Sequence, residues 1–261
     1  MRKIILCADD YAQNEAVSKG IVTLLAKQRL SATSCLTTSA EWIEHAGWLK
    51  PYENQIDIGL HFNLTEGPQK KFCSITTALL KSHLRMINKK MIEKELEQQL
   101  DFFVTQMNRL PDFIDGHLHV QHFPVIRDAL LAVYQRHFTK KNCYIRVANH
   151  GWLKGWKSFI VTASGARVLK KQLNKLAIPH NDSFAGFYNF ADAKNYSEYF
   201  KNFLKAIDQK GLIMCHPGLP STAKDDCLYK SRGLEYRYFM SDEFINDCQR
   251  EQIAMVRYQQ C

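Results

Sequence analysis

The chain is 261 residues long, and its 35 Lys and Arg against 26 Asp and Glu give a formal charge of +9 with histidine neutral. Apolar residues make up 46% and charged residues 23%, the balance of a chain that buries a core, which excludes a disordered or fibrous protein. No apolar run approaches the roughly 18 residues that span a bilayer, and the run at residues 4–8 is too short for a signal-peptide core, so a soluble, cytoplasmic protein is expected.

The length suits a single domain over residues 1–261. The eight cysteines are scattered without a CxxC pair, which argues against a zinc ribbon or a disulfide scaffold and for small buried apolar groups in a reducing compartment. The basic residues are dispersed as pairs, among them Lys70-Lys71, Lys89-Lys90, Lys140-Lys141 and Lys170-Lys171, so a nucleic-acid partner is not expected.

Taken in chain order, residues 3–8 form a short apolar run stopped by Asp9 and Asp10, which predicts a buried parallel strand. Residues 14–27 place Val17, Ile21, Leu24 and Leu25 at helical spacing. The unit repeats: a strand is predicted over 31–38, a helix over 40–49 and an alternating strand over 56–64. Gly67 and Pro68 break the pattern, and the basic stretch 69–90 reads as an irregular inserted loop, a lid or a solvated excursion, before a long helix over 91–108. A strand at 113–116 precedes a helix over 125–137 that Pro124 can start. Then come a strand at 143–147, a helix over 154–176, a loop over 177–195, a helix over 196–209, and strands at 211–215 and 253–258. This alternation predicts an α/β fold, a (β/α) TIM-like barrel, irregular or incomplete, with an insertion near residues 65–91. No GxGxxG follows the first strand and no GxxxxGK[ST] occurs, so nucleotide-binding folds lose their usual support.

Polar residues fall where predicted strands end, and in a barrel those ends form the active-site face. Asp9 and Asp10 suit a helix N-cap, or a metal site in which one carboxylate binds the cation and the other serves as base. His61 lies in an otherwise apolar strand, where alone it reads as a core histidine. In Asp115-Gly116-His117-Leu118-His119, alternate residues of an extended chain share one face, which would group Asp115, His117 and His119. Three such groups are costly to bury without a use. His216 follows the strand ending at Cys215 and reads as a turn residue, a group behind the metal or a general acid. A carboxylate and two histidines from three strand ends are a common ligand set for a catalytic divalent ion.

Four segments carry a resemblance that can be named. Ala8-Asp9-Asp10-Tyr11, Gly59-Leu60-His61-Phe62-Asn63-Leu64-Thr65, Asp115-Gly116-His117-Leu118-His119-Val120 and Cys215-His216-Pro217-Gly218 run in the order found in the YdjC-like carbohydrate deacetylases, which the chain resembles over most of its length. The resemblance implies a barrel related to TIM barrels and hydrolysis of the N-acetyl group of an acetylated amino sugar or chitooligosaccharide, with acetate released. It matches Asp10, His61 and His117 to the metal ligands, Asp9 to the base and His216 to the general acid. Asp115, His119, Asn63 and Arg146 are expected behind the ligands or against substrate. One divalent ion is implied, magnesium by resemblance, with zinc the alternative on ligand chemistry.

Two positions depart from the family's pattern: Ala12 stands where glycine is usual, and Gln121 where a third alternating histidine is usual. Trp152, Trp156, Phe184, Phe187 and Tyr188 are candidates for stacking on sugar rings or for ordinary core packing. The expected partner is a small-molecule or oligosaccharide substrate, with no nucleic acid and no membrane, and a homodimer stays open. The rival readings are a metal hydrolase of phosphoesters or cyclic amides on the same barrel, and a non-catalytic glycan- or nucleic-acid-binding protein.

Overall fold

The structure is a computed structural model that describes residues 1–67, 70–139, 142–149, 165–220 and 226–261. Its elements in chain order are β1 (Arg2–Tyr11), α1 (Glu15–Ala26), β2 (Ala32–Cys35), α2 (Trp42–Leu49), β3 (Asp57–Phe62), α3 (Ile75–His83), α4 (Lys89–Met107), β4 (Phe113–Gly116), α5 (Pro124–His137), β5 (Tyr144–Ile145), α6 (Ala166–Leu176), β6 (Phe184–Ala185), α7 (Tyr196–Ala206), β7 (Leu212–Cys215), α8 (Tyr229–Met240), α9 (Asp242–Arg250) and β8 (Ile253–Met255). Parallel strands separated by helices make this an α/β fold of the (β/α) barrel-like kind. The chain divides into two units, one of Met1–Cys35, Ala40–Ile58 and Asp182–Cys261, the other of Leu36–Ser39 and Gly59–Asn181.

β1 is the centre of the first unit. Ile4, Ile5, Leu6, Cys7 and Ala8 are all fully buried, as a parallel strand covered on both faces requires. β7 pairs with Ile5 to Ala8, β2 with Cys7 to Tyr11, β8 with Arg2 to Ile4, and β6 with β7. An aromatic cluster joins α7, α8 and α9, with Phe239 within 5.3 Å of the Phe200 ring and 5.2 Å of the Phe244 ring. In the second unit β3, β4 and β5 pair in that order. The register sets His61 opposite Asp115.

Several predicted elements change in extent. The basic stretch 69–90 is not irregular throughout: α3 forms there, with Ser74 as N-cap, its hydroxyl accepting from Thr77 N at 3.2 Å. Only Ala78 and Ser82 of that helix are buried, so no apolar stripe announces it. The strand expected over 31–38 is confined to Ala32–Cys35, the loop over 177–195 contains β6, and the strand expected over 253–258 ends at Met255. Of the helix expected over 154–176, residues 154–164 lie outside the described residues and α6 covers most of the rest.

α8 and α9 were not predicted at all. The buried face of α8 carries Ser231, Arg232 and Glu235 beside Tyr238 and Phe239, and polar residues on the inner face erase the apolar period. Among the described residues no disulfide is formed, and Cys7, Cys35, Cys143, Cys215 and Cys248 are buried as expected, whereas Cys73 and Cys227 are exposed. Among the described residues no helix is long and apolar enough to cross a membrane.

α1 lies directly against the turn that follows β7. Leu219 N donates to Ala16 O at 2.9 Å, and a Cβ on Gly20 would sit 2.8 Å from Gly218 Cα and from Leu219 N. Both are backbone atoms, so Gly20→Ala must push α1 away from the turn beginning at His216. Overpacking of this kind typically costs about 1–3 kcal/mol. Urea denaturation of Gly20→Ala is expected to show a loss in that range; a midpoint equal to wild type would mean that the close approach carries no constraint.

Candidate active site

In the first unit, β1 ends irregularly. Its register with β2 shifts between Ala8 and Tyr11, and Asp10 and Ala12 have φ of 66° and 69°. Aspartate tolerates this left-handed backbone, whereas alanine is strained in it, which gives a physical reason for glycine to suit position 12. Asp9 and Asp10 are both buried. Neither caps α1: that role belongs to Asn14, whose Oδ1 accepts from Val17 N at 3.0 Å.

Asp10 Oδ2 accepts from Arg232 NH2 at 2.9 Å. The same guanidinium donates to Gln13 Oε1 at 2.5 Å and through Nε to Asp226 Oδ2 at 2.6 Å. Burial works against the charge of Arg232, but Asp10 and Asp226 hold its pKa above the ordinary value. The imidazole of His216 places Nε2 3.9 Å from Asp9 Oδ2. Phe190 meets that ring edge-on, at 5.4 Å and 84°. Beneath it, Glu235 Oε2 accepts from His216 N at 2.6 Å and Oε1 accepts from the Tyr188 hydroxyl at 2.5 Å. Burial pushes the Glu235 carboxyl up to about 7, against the lowering effect of those two donors.

In the second unit, Asp115 is the hub. It is fully buried, as is Arg146, and its Oδ2 lies 3.0 Å from Arg146 NH1. Its Oδ1 lies 2.6 Å from His61 Nδ1. A carboxylate paired with arginine is ionised and acceptor-only, so His61 donates through Nδ1–H and its lone pair resides on Nε2. His117 Nδ1 faces that Nε2 at 3.3 Å, and His117 Nε2 lies 2.9 Å from Glu66 Oε1. Asn63 shapes the loop that carries Glu66: its Oδ1 accepts from Thr65 N and Glu66 N at 3.1 and 3.0 Å.

The extended reading of residues 115–119 does not hold. β4 ends at Gly116, and His117–His122 is a tight 3-10 turn in which Leu118 and His119 adopt φ of 53° and 59°. Asp115 and His117 still meet His61, and His119 stacks on His122 at 5.9 Å. His122 is buried, with its pKa lowered to about 3 by desolvation, and Nε2 accepts from Ala148 N at 3.2 Å. Gln121, fully buried, donates to Arg146 O at 3.2 Å, which ties the turn to the strand-end residue that holds Asp115.

The first unit thus groups Asp9, Asp10 and His216, and the second groups His61, Asp115, His117 and Arg146. Asn63 organises the loop that carries Glu66, and His119 stacks on His122. Phe184 and Tyr188 are buried, in keeping with a core role, and Trp152 and Trp156 lie outside the described residues. Sequence reading missed Arg232, Glu235 and Glu66. The first two lie three residues apart on one helix, a spacing that shares a face, but a polar pair on an unrecognised helix gives no signal.

The chain belongs to the YdjC-like family, whose profile matches residues 3–250. It is similar to a chitooligosaccharide deacetylase of Proteus mirabilis, 33% identical over 137 residues that cover 48% of this chain and 54% of the relative. It is also similar to a carbohydrate deacetylase of Danio rerio, 28% identical over 145 residues that cover 50% of this chain and 46% of the relative. The chain spans about half the length of the curated relatives it matches. Among solved structures it shares its fold with a proposed cellobiose-phosphate cleavage protein of Enterococcus faecalis, with a TM-score of 0.74 and 18% identity over 99% of this chain and 98% of the other.

Removing one partner of a buried ion pair typically costs about 3–5 kcal/mol, because the other charge is left without compensation. Arg146→Met, which keeps most of the side-chain volume, is therefore expected to lower unfolding stability by that order in urea. A loss under about 1 kcal/mol would mean that Asp115 does not depend on the pair.

Proposed function

We propose that the chain is a metal-dependent hydrolase that removes the N-acetyl group from an acetylated amino sugar or chitooligosaccharide. The observation that carries this reading is the fixed pair His61 and His117, with one nitrogen of each ring within 2.6 or 2.9 Å of a carboxylate oxygen and the other turned toward its neighbour at 3.3 Å. A binding module has no use for two histidines held in this way. The deacetylases among the curated relatives support the substrate class.

The donors fit a divalent ion. Asp10, His61 and His117 are buried, and each offers one ligand atom. Two imidazoles and a carboxylate suit zinc or manganese on ligand chemistry, while the family resemblance favours magnesium. A bound divalent ion supplies Lewis acidity that polarises an amide carbonyl and acidifies water.

The chain's own groups account for the remaining chemistry. Asp9 accepts the proton of the attacking water as its oxygen bonds to the acetyl carbon. His216, with Nε2 3.9 Å from Asp9 Oδ2, delivers a proton to the departing nitrogen as the C–N bond breaks, so that acetate and a free amine leave. Arg232 holds the Asp10 carboxylate, and Asp115 keeps His61 in the tautomer with its lone pair on Nε2.

Mass spectrometry of diacetylchitobiose and longer acetylated glucosamine oligomers, incubated with metal-loaded protein, tests the reading. Wild type is expected to remove an acetyl group. Asp9→Asn should keep metal and lose about 100-fold to 10,000-fold in turnover, the usual range for a general base, whereas His117→Ala should lose both metal and turnover. Near wild-type turnover in Asp9→Asn would overturn the base assignment, and no acetyl loss by wild type from any oligomer would overturn the substrate class.

A further inference from the structure

Helix α8 brings beneath the His216 turn a carboxyl group that the proposed reaction does not use. Glu235 is fully buried, and both of its oxygens are engaged, one by the His216 backbone N–H and the other by the Tyr188 hydroxyl. Tyr188 packs edge-on against Phe190 at 4.6 Å, and Phe190 packs edge-on against the His216 imidazole. A single carboxyl therefore joins the main chain of His216 to the loop whose aromatic ring rests against its side chain.

Burying an acid is costly, and an apolar residue at the same position would fill the space without that cost. What an apolar residue cannot do is accept two hydrogen bonds from donors on two different segments. The raised carboxyl of Glu235 reflects that cost, and the short contacts of 2.5 and 2.6 Å show what the acid provides in return.

We propose that Glu235 is a positioning residue for the deacetylation site: it locks the His216 turn and the Tyr188 to Phe190 loop into one arrangement from which the imidazole reaches the departing nitrogen. The proposal rests on the reading of His216 as the proton donor. It requires acceptor geometry at position 235, not a titrating carboxylate, because a glutamine can accept from His216 N–H through its oxygen and donate to the Tyr188 hydroxyl through its amide.

The test combines steady-state kinetics of acetate release with hydrogen exchange at the His216 amide. Misplacing a reacting group by about 1 Å costs about 100-fold, so Glu235→Leu is expected to lower kcat by about 10-fold to 100-fold with KM little changed and metal content intact. Glu235→Gln should recover most of that loss, and Tyr188→Phe, which keeps the core volume, should fall between. In a His216→Ala background Glu235→Leu should cost little more. The His216 amide, hydrogen-bonded to Glu235, is expected to exchange slowly in wild type, faster in Glu235→Leu and slowly again in Glu235→Gln.

Equal losses in the wild-type and His216→Ala backgrounds, or a Gln variant as poor as Leu, would overturn the proposal. So would unchanged amide exchange in Glu235→Leu, or in Tyr188→Phe if the Leu variant does not fold. A wild-type kcat in His216→Ala would overturn the acid assignment instead. The exchange rates would then decide by themselves whether Glu235 holds the turn.

Discussion

Arg146 and Asp115 form an ion pair sealed from water, and the chemistry of the second unit follows from it. The guanidinium lies 3.0 Å from the Asp115 carboxylate where neither reaches water, and an opposite charge at that distance favours the ionised acid. An ionised Asp115 can only accept, so His61 presents Nδ1–H to it and directs the Nε2 lone pair toward His117. Parallel pairing of β3 and β4 places the two residues opposite each other, so the backbone ladder sets the distance that the side chains use. Gln121, bonded to the Arg146 carbonyl, extends the same constraint to the turn that carries His117.

The first unit solves a related problem with a helix. Asp9 and Asp10 need to be buried at the end of an apolar strand, and each carboxylate there requires a partner or a use. Arg232 meets Asp10, Asp226 and Gln13 at once, while three residues later Glu235 holds the main chain of His216. α8 thus holds both the Asp10 carboxylate and the main chain of His216, and its inner face is polar for that reason. Stability and site geometry share the same groups, as they commonly do where polar side chains are buried.

Much of this was legible in the residues. The run from Ile4 to Ala8 and its abrupt acidic stop marked a buried parallel strand with a polar end, and His61 and Asp115 stood out because each interrupts an apolar strand. Pro124 marked the start of α5, where the structure places it. Other features were hidden by non-local physics. The left-handed Leu118 and His119 are locally unfavourable conformations held by surrounding packing, so the strand-like alternation read across residues 115–119 stops at Gly116. α8 carries its function on the face that should have been apolar, and α3 buries too little to show a stripe. The partnership of Arg146 with Asp115 spans 31 positions in sequence, and no local pattern encodes it.

The most direct measurement of the central claim is calorimetric titration of chelator-stripped protein with zinc and with manganese, in wild type, His61→Ala and Asp115→Asn. The account predicts one ion per chain in wild type, no binding at that site in His61→Ala, and affinity reduced about 10-fold to 100-fold in Asp115→Asn, the usual cost of losing the group that orients a metal-bound histidine. Full affinity in Asp115→Asn, or an unchanged stoichiometry in His61→Ala, would contradict it.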